Sequence, residues 1–156
     1  MNLSLYKMQF EGEVLERGYW LYVWKVNAPT QTLFYVGRTG DSSSVNAQSP
    51  FVRISQHLNF RQNAKGNSLS KHLSSIQINP RLCQFQMAAV GPIFPEEKTR
   101  DKHYEKRDIL AALERELSDY LKKLGCNVLG THKSRKSVDQ SLVLSVQNLI
   151  HKELLA

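Results

Sequence analysis

Two runs of aromatic and β-branched residues dominate the first quarter of the chain, Gly18 to Val26 (GYWLYVWKV) and Leu33 to Gly37 (LFYVG), separated by a polar connection that contains Pro29. Residues of this kind favour extended, buried backbone, and the short polar break between them predicts a β-hairpin. Both strands are apolar on both faces, so the hairpin is expected to sit centrally in a sheet covered by helices on at least one side. With a period of two, Trp20, Tyr22 and Trp24 share one face of the first strand, and Leu33, Tyr35 and Gly37 one face of the second. That makes Tyr22 and Tyr35 candidate neighbours.

The pattern then changes. Thr39 to Ser49 is rich in Gly, Ser, Asp and Asn and reads as a loop, after which Ser49-Pro50 supplies an N-cap and a first-turn proline. In the helix that follows, Phe51, Ile54 and Leu58 are expected to face the core, while Arg53, His57 and Arg61 fall at i, i+4 and i+8 on a different face. Asn63 to Asn67, with Gly66, ends it. Ser68 to Ile78 carries Leu69, Leu73 and Ile76 at helical spacing, Asn79-Pro80 closes that segment, and Leu82 to Val90 reads as a third strand, broken off by Pro92 and Pro95. Asp101 to Leu124 is the longest helical pattern, with a stripe of Leu110, Leu113, Leu117, Leu121 and Leu124 and a stop at Gly125. A basic linker, Thr131 to Lys136, precedes an amphipathic helix from about Val138 to Leu155.

Composition narrows the class. The 156 residues are one domain's length, and 41% hydrophobic with 22% charged residues is the balance of a globular protein rather than a disordered one. No apolar run approaches the roughly 18 to 20 residues needed to cross a bilayer. Met1 to Phe10 alternates polar and apolar residues without the continuous apolar stretch of a secretory signal, so the cytoplasm is the expected compartment. Cys83 and Cys126 fit no metal-ligand spacing and read as reduced thiols. The net charge of +7 and a pI near 9.5 favour a polyanionic partner. The cations gather in two groups, Lys98 to Arg107 and Lys122 to Lys136, although a solvated helix face accounts for either equally well.

The residues with chemical potential are two strand tyrosines, an Arg and a His one helical turn apart, and carboxylates on the late helix. Those types suit phosphodiester hydrolysis. Arg orients a phosphate, a carboxylate holds Mg²⁺, and Tyr or His handles the proton of an attacking water if its pKa is tuned. Glu114 and Glu116 are the alternatives for the carboxylate. At about 100° per residue, Glu114 lies about 60° from the centre of the leucine stripe near Leu117 and Glu116 about 100° away on the more solvated side, which favours Glu114.

Trp20-Leu21-Tyr22, followed by Tyr35-Val36-Gly37 after a thirteen-residue step between the tyrosines, resembles the signature of the GIY-YIG nuclease superfamily. Trp20 and Leu21 stand where the name-giving Gly and Ile would be, with Gly18 just upstream. The match continues through Gly37-Arg38-Thr39, Arg53 and His57 in RxxxH spacing, a late-helix glutamate and Asn127, and covers roughly Gly18 to Leu129. The resemblance implies a small α/β (α+β) domain with a three-stranded antiparallel sheet flanked by helices, to which this chain adds a C-terminal helix. It implies that Tyr22, Tyr35 and His57 position and activate water, Arg53 clamps the scissile phosphate and Glu114 binds the metal. Asn127 would support that site or contact phosphate, and Gly37 would let the backbone approach closely. Arg38 and Arg61 would touch the nucleic-acid backbone. Each of these residues also has a plainer use, in the core, at a helix end or on a solvated face.

The expectation is thus a Mg²⁺- or Mn²⁺-dependent endonuclease that cuts DNA with one metal ion, RNA being the open alternative as substrate. It has an N-terminal extension (1–17), a nuclease-like domain (18–130) and a basic linker with an amphipathic helix (131–156). A non-catalytic nucleic-acid-binding module on the same fold is the competing reading. An adaptor that docks or self-associates through the last helix is a third.

Overall fold

A computed structural model describes residues 2–156; Met1, the first residue of the expected N-terminal extension, lies outside them. The hairpin forms where the aromatic runs place it. Strand β1 (Tyr19–Asn27) pairs antiparallel with β2 (Thr32–Arg38), Trp24 opposite Tyr35 and Tyr22 opposite Gly37. Strand β3 (Gln84–Phe94) pairs antiparallel with the other edge of β1. It runs past the expected end at Val90, through Pro92, to a pairing of Phe94 with Tyr19. As the outermost strand, β3 has a free edge on which a residue without an N–H loses no ladder bond.

The expectation of a three-stranded antiparallel sheet is corrected by a fourth strand. After the long helix, β4 (Asn127–Leu129) lies parallel to β2, Asn127 beside Leu33 and Leu129 beside Tyr35, giving the order β3-β1-β2-β4. Three residues are too few to show a period in the sequence; their pairing is set by where the preceding helix delivers the chain.

Helices cover both faces, which is why the central strands are apolar throughout. On one face Tyr19, Leu21, Val23, Phe34 and Val36 pack against the leucine stripe of the long helix and against Val143, Val146, Ile150 and Leu154 of the last one. On the other, Tyr22, Trp24, Val26, Leu33 and Tyr35 pack against Leu69 and Leu73, with Ile54 and Leu58 alongside. The helices are α1 (Pro50–His57), α2 (Ser68–Ser75), α3 (Arg100–Lys123) and α4 (Gln140–Leu154). No helix among the described residues is long and apolar enough to cross a membrane.

Helix α1 departs most from the sequence reading. It stops at His57, and the chain then turns through Asn63 and Gly66, both at positive φ. Phe51, expected in the core, is 37% exposed against the ring of Phe10, 4.9 Å away, whereas His57 is fully buried. Ile54 and Leu58 keep their places against the sheet, and His57 is buried beside them between two tyrosines.

Candidate active site

Tyr22 and Tyr35 rise from the same sheet face. Their arrangement depends on Gly37, opposite Tyr22 on β2: a Cβ at position 37 would lie 2.5 to 2.6 Å from the atoms of the Tyr22 ring. The glycine is required here for close approach. The ring crosses β2 above it and carries the hydroxyl to His57 Nε2, 2.5 Å away. His57 is wedged edge-on between the two tyrosines, its ring centre 5.4 Å from that of Tyr22 and 5.3 Å from that of Tyr35.

One turn earlier on α1, Arg53 reaches the same place. Its Nη1 donates to Gln56 Oε1 at 2.9 Å and its Nη2 to Asp41 Oδ2 at 3.3 Å, while Nε is buried without a partner. At the end of β2, Arg38 Nε donates to Glu114 Oε2 at 2.9 Å. Glu114 extends from α3, on the opposite face of the sheet, to this strand end, where its charge acts on Tyr35. Its Oε1 makes no hydrogen bond among the described residues and lies 3.8 Å from His132 Nε2, which is itself 2.9 Å from the Val36 carbonyl.

Burial sets the protonation states. It pushes the phenol of Tyr22 well above its ordinary value, against the pull of the Arg53 charge, and raises Tyr35 in the same way. It lowers His57 to about 4, helped by Arg53 and opposed by Asp41. Glu114 is raised by burial and pulled back by Arg38 and His132. At neutral pH the cluster therefore holds two protonated phenols, a neutral imidazole and fixed guanidinium charges. A phenolate at Tyr22, the requirement for that residue to act alone as a base, is disfavoured by its surroundings.

Of the residues singled out from the sequence, Tyr22, Tyr35, Gly37, Arg38, Arg53, His57 and Glu114 come together. Glu116 instead pairs with its neighbour Arg115 and borders a cleft between α3 and α4. Asn127 stands apart: it starts β4 beside Leu33, and its side chain donates to Gln31 Oε1 at 3.0 Å. Arg61 lies beyond the end of α1, exposed in the loop, so the expected three-residue stripe reduces to Arg53 and His57. Three residues near the cluster were not singled out. Asp41 sits in a Gly/Ser loop with no period to mark it, and His132 falls in the basic linker. His72, in α2, has its ring centre 5.7 Å from that of Tyr35.

A hard divalent cation takes one or two carboxylates and completes its shell with water and substrate oxygens. Glu114 suits that role, its Oε2 fixed by Arg38 and its Oε1 uncommitted. No group of three His, Cys, Asp or Glu side chains able to hold a metal occurs among the described residues.

Comparison of the chain with protein-family models, with curated proteins and with solved structures finds no significant match in any of the three.

Proposed function

We propose that this protein is a divalent-metal-dependent endonuclease of the GIY-YIG type that hydrolyses DNA phosphodiester bonds. The observation that carries the reading is the buried Tyr22–His57–Tyr35 cluster with Arg53 one helical turn away and Glu114 at the adjoining strand end.

In this reading Arg53 binds the non-bridging oxygens of the scissile phosphate, since a planar guanidinium offers two parallel donors to a phosphate. Glu114, oriented by Arg38, holds Mg²⁺. Held there, Mg²⁺ would supply charge stabilisation at the phosphoryl oxygens and a water of lowered pKa. Tyr22, kept protonated by burial, holds the attacking water and passes a proton toward His57, its hydrogen-bond partner. His57 is a weak base in the free protein because of burial and the neighbouring Arg53 charge. A phosphate neutralising Arg53 removes the second of those effects and raises the affinity of His57 for the proton when substrate is present. Most of the rate enhancement comes from positioning and charge stabilisation.

The Arg38–Glu114 ion pair also favours a second reading, because it satisfies Glu114 without a metal: a binding module that keeps the fold and does not cut. The two are separated by incubating the chain with supercoiled, linear, branched and single-stranded DNA in Mg²⁺ or Mn²⁺, beside Arg53→Ala and the near-isosteric Glu114→Gln. Metal-dependent cutting is expected, falling about 10²-fold or more in each folded variant. DNA binding without cutting by the parent selects the binding module. Neither binding nor cutting turns attention to RNA or to a protein partner.

A further inference from the structure

Beside Arg53 opens a cleft of about 240 Å³, walled by the loop from Gly40 to Gln48, by Arg53 and Gln56 of α1, and by Lys65–Gly66. Its lining contains no aromatic or aliphatic side chain. Two cations, Arg53 and Lys65, face one carboxylate, Asp41, which is already bonded to Arg53 at 3.3 Å and whose side chain is 43% exposed.

The loop that forms one wall has no helix or strand, yet it is anchored from behind. The Ser42 carbonyl bonds His103 Nε2 at 2.9 Å, and His103 Nδ1 bonds the Tyr19 hydroxyl at 2.7 Å, both side chains being fully buried. Glu96 accepts the Ala47 N–H at 2.7 Å and an Arg17 N–H at 2.6 Å, and Arg17 also donates to Asn46 Oδ1. A polar wall opposite a charged helix face is thus fixed before any ligand arrives, which lowers the ordering cost of binding.

We infer that this cleft is a subsite for the sugar-phosphate backbone next to the cut bond, filled without regard to base sequence. The inference rests on the nucleic-acid reading above. A phosphate replaces Asp41 on Arg53, and Lys65 neutralises the neighbouring phosphate. With no aromatic side chain, the cleft gives a base nothing to stack on. Reading adenine with an amide takes its oxygen and its nitrogen together. Asn46 and Gln56 have their oxygens committed to Arg17 and Arg53, which leaves their NH₂ groups as donors to phosphate and sugar oxygens. Gln48 is the one amide in the wall without a side-chain hydrogen bond among the described residues, room for a single base contact at most.

The test is binding of fluorescein-labelled single- and double-stranded oligonucleotides of several sequences, in EDTA and over a range of KCl, by the parent, Lys65→Ala and Asp41→Asn. Cleavage in Mg²⁺ is run in parallel. Lys65→Ala is expected to weaken binding about three- to tenfold at low salt, equally for all sequences, and to lower the slope of log affinity against log salt by about one. Asp41→Asn is expected to tighten binding several-fold, and to lose that gain when Arg53 is also replaced by Ala. Both positions are on exposed loops, and circular dichroism checks that each variant folds. Affinities within twofold of the parent for both variants overturn the subsite, as does a Lys65→Ala loss confined to one sequence. A parent that cuts while both variants bind as it does leaves the nuclease and removes the subsite. A parent that cuts nothing but shows both effects keeps the subsite and removes the nuclease.

Discussion

At the scale of single residues, His57 carries the plainest thermodynamic consequence. The folded chain holds it at about 4 against an ordinary value of 6.5, so between those pH values the unfolded chain binds a proton that the folded chain refuses. The full stability is present above about pH 6.5 and falls as the pH drops through that window, by an amount of order 3 kcal/mol. Urea midpoints measured at pH 7.5, 6 and 5 are expected to fall steadily, and His57→Gln, which removes the titration, to flatten that trend. An equal slope in the variant would locate the acid sensitivity elsewhere. Residue identity and spacing were enough to single out this histidine beside Arg53, since one helical turn separates them whatever surrounds the helix. Its burial was not legible. Ile54 and Leu58 do face the sheet, but nothing local reveals that the sheet beneath also presents hydroxyls that draw His57 in. Asp41 was hidden for the opposite reason, because a carboxylate among serines has no pattern to break.

At the scale of elements, long regular segments were legible and short or irregular ones were not. The aromatic runs of β1 and β2 and the leucine stripe of α3 repeat often enough for a period to emerge, and each lies within a residue or two of its expected bounds. Strand β4 has three residues, and the end of β3 passes through a proline that reads as a break until the strand is known to be an edge. In the sequence, Thr39 to Ser49 shows only the composition of a loop. Its anchoring through Tyr19 and His103 spans 84 residues of sequence, a link that no window along the chain can detect. Tyr19→Phe removes one hydroxyl and leaves a buried imidazole nitrogen unpaired, at a cost of about 1–3 kcal/mol. Hydrogen exchange is expected to quicken at the loop amides from Ser42 to Asn46 more than in β1 or β2. Uniform acceleration would mean that the hydroxyl supports the core as a whole and not the loop.

At the scale of the molecule, α4 belongs to the same apolar core as α3. Val143, Val146, Ile150 and Leu154 are buried there, and Lys25 of β1 donates to the Leu154 carbonyl at 2.7 Å. Burying four such side chains contributes roughly 6–12 kcal/mol, comparable with the whole net stability of a small domain, about 5–15 kcal/mol. A chain ending at Lys136 is therefore expected to lose its cooperative thermal transition by calorimetry. A sharp transition retained near the parent's temperature would show that α4 is dispensable to the fold and free for another use. The sequence boundary at residue 130 follows the extent of the motif resemblance, Gly18 to Leu129, and α4 beyond it packs on the α3 face of the sheet. The candidate site has the same whole-molecule character, since Tyr22 and Tyr35 face the α1–α2 layer and Glu114 arrives from the other.

On the side away from β1, the backbone of β2 is covered in two ways, by the short outer strand β4 and by a side chain. For three residues β4 pairs with it, and beyond Leu129 the imidazole of His132 occupies the Val36 carbonyl. Open sheet edges recruit strands from other molecules, and a side chain on the next free acceptor closes the template where a strand would otherwise dock. The position that brings His132 toward Glu114 thus also takes up the backbone acceptor at Val36, where an added strand would otherwise bond.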